Sequence, residues 1–196
     1  MSRTAKVTRT TKETDILVTI ELDGAGLANA DTGMPFFDHM LDAFGRHALL
    51  DLTVQTEGDT HIDAHHTVED TAIVLGQALR EALGDKAGVR RFASIVVPLD
   101  ESAVEVSLDL SGRTFVVYEV PVPYETINGF DTGLLEDFIR AFAQSAELTL
   151  HAHLRYGRSP HHICEATFKA LGMALHQATR PAATLQSTKG KVSWKR

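Results

Sequence analysis

Two short segments of this chain share one pattern: His65-His66-Thr67-Val68-Glu69 and His161-His162-Ile163-Cys164-Glu165. The residues that follow also coincide in register, with Thr71, Leu75, Gly76, Ala78 and Leu79 matching Thr167, Leu171, Gly172, Ala174 and Leu175. On a helix, positions i and i+4 share a face, whereas i+1 is turned away by about 100°. His65 and Glu69 can therefore chelate one cation, and His161 and Glu165 another. His66 and His162 point elsewhere. The economical arrangement gives each ion the His/Glu pair of one cluster and the leftover histidine of the other. Imidazole with carboxylate suits Mn²⁺, Fe²⁺, Co²⁺ or Zn²⁺ and disfavours Ca²⁺. Spacing does not separate the four, and we take manganese. A lone histidine is more often a helix cap or a member of a polar network. Two registered groups of imidazoles and carboxylates, desolvated together without a cation, would be costly.

The elements that must hold these clusters repeat as well. Phe36 to His47 has helical spacing, and Leu50 to Glu57 alternates as a strand. Thr67 to Leu83 is helical up to Gly84. The later counterparts are a helix over Leu134 to Ser145, a strand over Leu148 to Arg155, a turn at Gly157 to Pro160, and a helix reaching Thr179. Pairing His39 with Asp137 aligns Phe44 with Phe142, Ala48 with Ala146, Leu50 with Leu148 and Leu52 with Leu150. Only the connection before the second cluster differs, being two residues shorter. Further strands are expected over Ile16 to Leu22, Ile95 to Val97, Ala103 to Leu110 and Thr114 to Val120. The expected architecture is α+β, one domain over 1–196 made of two pseudo-repeats (about 9–95 and 96–190). The repeat also offers each ion a fourth ligand, His39 in one half and Asp137 in the other, with His151 as an alternative to Asp137. Four protein ligands on a six-coordinate ion leave two positions for water or substrate, as a catalytic site requires.

Composition narrows the function classes. The chain has 196 residues, 43% of them hydrophobic, and a net charge of −7. That suits a protein with an ordinary core and carries no basic nucleic-acid footprint. No apolar run approaches the length of a membrane span, and the first residues lack a signal-peptide core, so a cytoplasmic location is expected. The one cysteine, Cys164, excludes an intramolecular disulfide. Outside the clusters, Arg91, Arg113 after Ser111-Gly112, Lys169 one turn beyond Glu165, and the tail Ser187-Thr188-Lys189 supply the cations, hydroxyls and glycine-flanked N–H groups that a phosphate needs. His47, two turns along from His39, is a candidate substrate contact. His61 and His176 read as surface residues. A phosphorylated small substrate is the expectation. A metal-dependent hydrolase of such a substrate and a metal-storage assembly both remain open at this point.

Five segments carry a resemblance: Phe37-Asp38-His39-Met40-Leu41, Ala64 to Thr71, Asp109-Leu110-Ser111-Gly112-Arg113, His161 to Ala170, and Ser187-Thr188-Lys189-Gly190. From about Arg9 to Gly190 the chain resembles the imidazoleglycerol-phosphate dehydratases of histidine biosynthesis, in their monofunctional form. The resemblance implies two four-stranded, mostly antiparallel sheets packed on helices, of the ribosomal protein S5 domain 2-like type. It implies dehydration of imidazole glycerol phosphate to imidazole acetol phosphate through an imidazolate bridging two manganese ions, with loss of the C3 hydroxyl through a diazafulvene-like species. It also implies a homo-oligomer of 24 subunits with sites shared between neighbouring chains. By the same resemblance Glu13 matches the substrate-contacting glutamate, to which we assign the acid/base role, and Arg91, Arg113, Lys169, Ser187 and Lys189 match the phosphate-contacting positions. Asp137 departs from relatives that carry histidine there, which unbalances the two metal sites.

Overall fold

Both halves of the chain build the same layer from the same order of elements. The structure, a computed structural model, describes residues 3–182. The first half runs β1 (Thr4–Thr10), β2 (Thr14–Glu21), β3 (Ala28–Asp31), α1 (Pro35–Ala48), β4 (Asp51–Gly58) and α2 (His65–Leu83). The second runs β5 (Phe92–Leu99), β6 (Ser102–Asp109), β7 (Phe115–Glu119), a two-stranded ribbon β8 (Thr126–Ile127) and β9 (Phe130–Asp131), then α3 (Leu134–Ala146), β10 (Thr149–Tyr156) and α4 (Pro160–Thr179). The sheets are ordered β1-β2-β4-β3 and β5-β6-β10-β7. In each, only the last pair, β3 with β4 or β7 with β10, is parallel. A parallel pair needs a crossover, and α1 and α3 provide it. The expected duplicated α+β fold is therefore present.

The helices exchange partners between halves: α1 packs on α4, and α2 on α3. Two glycines make this approach possible. A Cβ on Gly76 would lie 2.6 Å from the carbonyl oxygen of Phe142, and one on Gly172 would lie 2.6 Å from that of Phe44. Gly76 corresponds to Gly172 and Phe142 to Phe44, so one close contact has been built twice. Between the helix pairs lies an aromatic core in which Phe138 meets Phe168 at 4.7 Å and Phe37 at 5.8 Å between ring centroids. All three rings are fully buried.

The strands expected from alternation are present, but β1, β3 and the ribbon go beyond those expected. β1 is an edge strand with small or polar residues at most positions, and its burial alternates only between exposed and half-buried. β3 is four residues long. The ribbon turns on Asn128-Gly129, both with positive φ, as a two-residue hairpin of type I′ demands. Among the described residues no helix is long and apolar enough to cross a membrane.

Candidate metal centre

The histidine clusters occupy the first turns of α2 and α4, where the local sequence starts each helix at a fixed residue. Ser159 caps α4, its hydroxyl accepting from the His162 N–H, and Pro160 follows at the first helical position. At α2 the Asp63 carboxylate accepts from the His65 N–H at 2.8 Å. Both histidine pairs are thus set by their helix starts.

On the α1–α4 pair, His39, His161 and Glu165 each offer one ligand atom, all within 4.8 Å of one another. His161 Nε2 lies 3.1 Å and His39 Nε2 3.7 Å from Glu165 Oε2. Adjacent ligands of an ion bound at about 2.1 Å stand about 3 Å apart, so the donors fit a divalent cation. Lys169 Nζ holds the other oxygen of Glu165 at 2.7 Å. Partial burial, the largest influence on Glu165, raises its pKa. The hydrogen bond and charge of Lys169, with His39 and His161, outweigh it and leave the carboxyl below its ordinary range. His47 is shifted down, first by partial burial and then by Lys169, so it favours the neutral imidazole.

On the α2–α3 pair, His65 Nε2 is 3.6 Å from Glu69, and its Nδ1 is 3.9 Å from Asp137. This cluster is looser and more anionic, with two carboxylates. Ile73 stands where the second half has Lys169. A cavity of about 570 Å³ opens beside His65, lined also by Met34, Asp63, Asn128 and Asp131. It is Asp137 that the fold brings to His65. His151 lies on the strand face beside Phe115, Phe92 and Ser107.

The leftover histidines are not exchanged within the chain, contrary to the arrangement expected from helical spacing. The turn of one residue sends His66 toward the β1–β2 and β4–α2 connections, where Nδ1 lies 3.0 Å from Asp59 and Nε2 lies 4.0 Å from Glu13. His162 turns toward the β5–β6 turn, with Nδ1 2.7 Å from Glu101 and Nε2 3.8 Å from Asp100. The N–H of Ser159, then His162, hold the Glu101 carboxyl well below the usual carboxylate range. Asp59 and Glu101 escaped the sequence reading. Neither stands in a repeated motif: Asp59 follows β4, and Glu101 lies in the short connection between β5 and β6.

The phosphate candidates divide. Lys169 is at the α1–α4 cluster, against Glu165. Arg91 is not: its backbone N–H donates to the carbonyl of Ala178, sixteen residues along α4 from His162, or about 24 Å. Its guanidinium grips Asp109 at 2.6 and 3.0 Å. Arg113 is exposed at that same far end, its carbonyl accepting from Thr149. One chain therefore does not bring these arginines to its own clusters. Ser187, Thr188 and Lys189 lie outside the described residues. His176 is not a simple surface residue: its Nδ1–H donates to the Ala48 carbonyl at the end of α1, 3.0 Å away.

Residues 32–175 match the family model described as imidazoleglycerol-phosphate dehydratase. The chain is 52% identical to the imidazoleglycerol-phosphate dehydratase of Streptomyces avermitilis, over 98% of this chain and 100% of that one. It is also 52% identical to that of Acidiphilium cryptum, over 97% and 99%. Among solved structures, the Staphylococcus aureus enzyme superposes with a TM-score of 0.82 at 35% identity, covering 91% of this chain and 99% of that one. The Pyrococcus furiosus enzyme gives 0.79 at 37%, covering 95% and 100%.

Proposed function

This chain belongs to the imidazoleglycerol-phosphate dehydratase family and is a dehydratase of histidine biosynthesis, and from that premise we propose that its two His/Glu clusters each hold a manganese ion about the imidazole ring of the substrate. The reaction is loss of water from imidazole glycerol phosphate to give imidazole acetol phosphate. The observation that carries the metal reading is the convergence of His39, His161 and Glu165 from two helices, with ligand atoms within 4.8 Å. The hydrolase and storage readings lose their support to the family membership.

Manganese, when bound, would act as a Lewis acid toward the substrate's imidazole and so ease departure of the C3 hydroxyl. The chain's residues supply the rest. His39, His161 and Glu165 hold one ion and His65, Glu69 and Asp137 the other, and the outward-turned His66 and His162 complete the ion sites of a neighbouring copy. Lys169 keeps Glu165 ionised and offers its charge to the substrate's phosphate. Glu13, at the tip of the β1–β2 hairpin beside His66, takes the C2 proton of the glycerol chain, after which the enol becomes the ketone.

A homo-oligomer with shared sites completes the proposal, and the family resemblance puts it at 24 subunits. It is supported by the 24 Å or so between Arg91 and its own cluster and by the outward turn of His66 and His162. A neighbouring copy would deliver Arg91 and Arg113 to the phosphate. Exposed large side chains such as Leu27, Ile62 and Tyr124 (71%, 64% and 79% exposed) are the kind of surface that assembly covers.

The test is product formation by assembled protein stripped of metal and then given manganese. Imidazole acetol phosphate should appear only after manganese is restored. An equal rate in the stripped protein would overturn the metal reading, and no product under either condition would overturn the substrate.

A further inference from the structure

The duplication does not account for how His66 and His162 are held. Each ring has its Nδ1 against a carboxylate: His66 on Asp59 at 3.0 Å, His162 on Glu101 at 2.7 Å. Yet the two carboxylates are not repeat equivalents. Asp59 is the first residue past β4, whereas Glu101 sits in the turn between β5 and β6. The first residue past β10 is Gly157, where a Cβ would lie 2.6 Å from the Ser102 hydroxyl and 3.0 Å from Ile163. No side chain fits there. The second half therefore reaches its histidine from another loop, and the same contact is made twice by different means.

Both carboxylates are themselves fixed. The Asp59 N–H donates to the Glu13 carbonyl at 3.0 Å, and the Asp59 side chain is only 11% exposed. Glu101 accepts from the Ser159 N–H at 2.8 Å and from the Ser102 hydroxyl at 3.0 Å through its other oxygen. An ionised carboxylate only accepts, so Nδ1 of each ring must carry the proton. In the neutral ring that a cation requires, Nε2 then keeps its lone pair and is the atom left to bind.

We infer that Asp59 and Glu101 are positioning residues, which fix the tautomer and the ring orientation of His66 and His162 so that each presents Nε2 as a metal-ligating atom. This rests on the metal reading above and extends it to two residues outside the ligand set. Neither carboxylate is itself assigned as a ligand.

The experiment is a manganese titration of the metal-stripped, full-length assembly, following free Mn²⁺ by its paramagnetic resonance. Asp59→Ala and Glu101→Ala should each weaken manganese binding about ten- to a hundredfold. Asp59→Asn and Glu101→Gln keep an acceptor oxygen without the charge, and should fall between wild type and alanine. Thermal melting of the metal-free assemblies separates a folding defect from a metal defect. Should an alanine variant fail to assemble, its amide variant carries the test alone, and weakened binding is still expected. Wild-type affinity in every variant that assembles overturns the inference. A wild-type protein that binds no manganese overturns instead the metal reading beneath it.

Discussion

At the scale of single residues, the chemistry follows from which groups converge and which are turned away. His161 and Glu165 meet because they are four apart on one helix, and His39 joins them because α1 lies across α4. Replacing His161 with alanine should remove about one manganese per chain while leaving the protein folded, because the ring is nearly half exposed. Elemental analysis of the assembled variant checks this, and an undiminished metal content would remove His161 from the ligand set. The pairing of His65 with Glu69 and of His161 with Glu165 was legible in the sequence because helical spacing makes a local statement. Asp59 and Glu101 were not. Their roles depend on loops that meet the histidines only after both sheets have formed, and nothing in the local pattern marks them. The same holds for His176, whose partner is the carbonyl of Ala48.

At the scale of elements, the two helix pairs are the device that brings the ligands together, and each depends on a glycine. Alanine in place of glycine inside a helix ordinarily stabilises by about 0.5–1 kcal/mol. At Gly76 and Gly172 the sign should reverse, with Gly76→Ala and Gly172→Ala each costing about 1–3 kcal/mol, because the new methyl meets backbone rather than a movable side chain. Denaturant melts of the two variants measure it, and a stabilised protein would show that the helices part without cost. A second element-scale prediction concerns pH. Asp51 opens β4 and accepts the N–H groups of Leu27 and Ala25, which hold its carboxyl below the ordinary range. A depressed carboxylate contributes stability above its unfolded pKa and loses it as pH falls through the folded value. An Asp51→Ala variant should therefore show a flatter fall of Tm on acidification than the parent. The long elements were legible because their apolar residues repeat at 3.6 or 2. β1 and β3 were not, since edge strands of Thr, Lys, Arg, Ala and Asn bury too little to leave a period. The Asn128-Gly129 turn was a visible signal passed over, because the strands it joins are only two residues each.

At the scale of the whole molecule, one chain keeps its His/Glu clusters and its two candidate phosphate arginines far apart. The ligand clusters sit at the starts of α2 and α4, while Arg91 and Arg113 sit beyond the other end of α4. If neighbouring copies complete each site, a chain carrying His161→Ala and one carrying Arg113→Ala should be inactive as separate assemblies. Refolded together they should regain a fraction of wild-type rate, since some sites then combine two intact contributions. No recovery in verified mixed assemblies would contradict shared sites. The sequence repeat made the fold's two halves visible, but it could not reveal this division. His162 and the Ala178 carbonyl that receives Arg91 stand at opposite ends of α4, and the rise of that helix separates them.

The central claim is that the two repeated His/Glu clusters are manganese sites for dehydration of an imidazole ring. The most direct measurement is a crystal structure of the manganese-loaded assembly, with anomalous data collected at the manganese edge. Two anomalous peaks per chain are expected, one at His39, His161 and Glu165 and one at His65, Glu69 and Asp137. An enzyme whose crystals show no manganese at either cluster, and which dehydrates its substrate at full rate in that state, would contradict it.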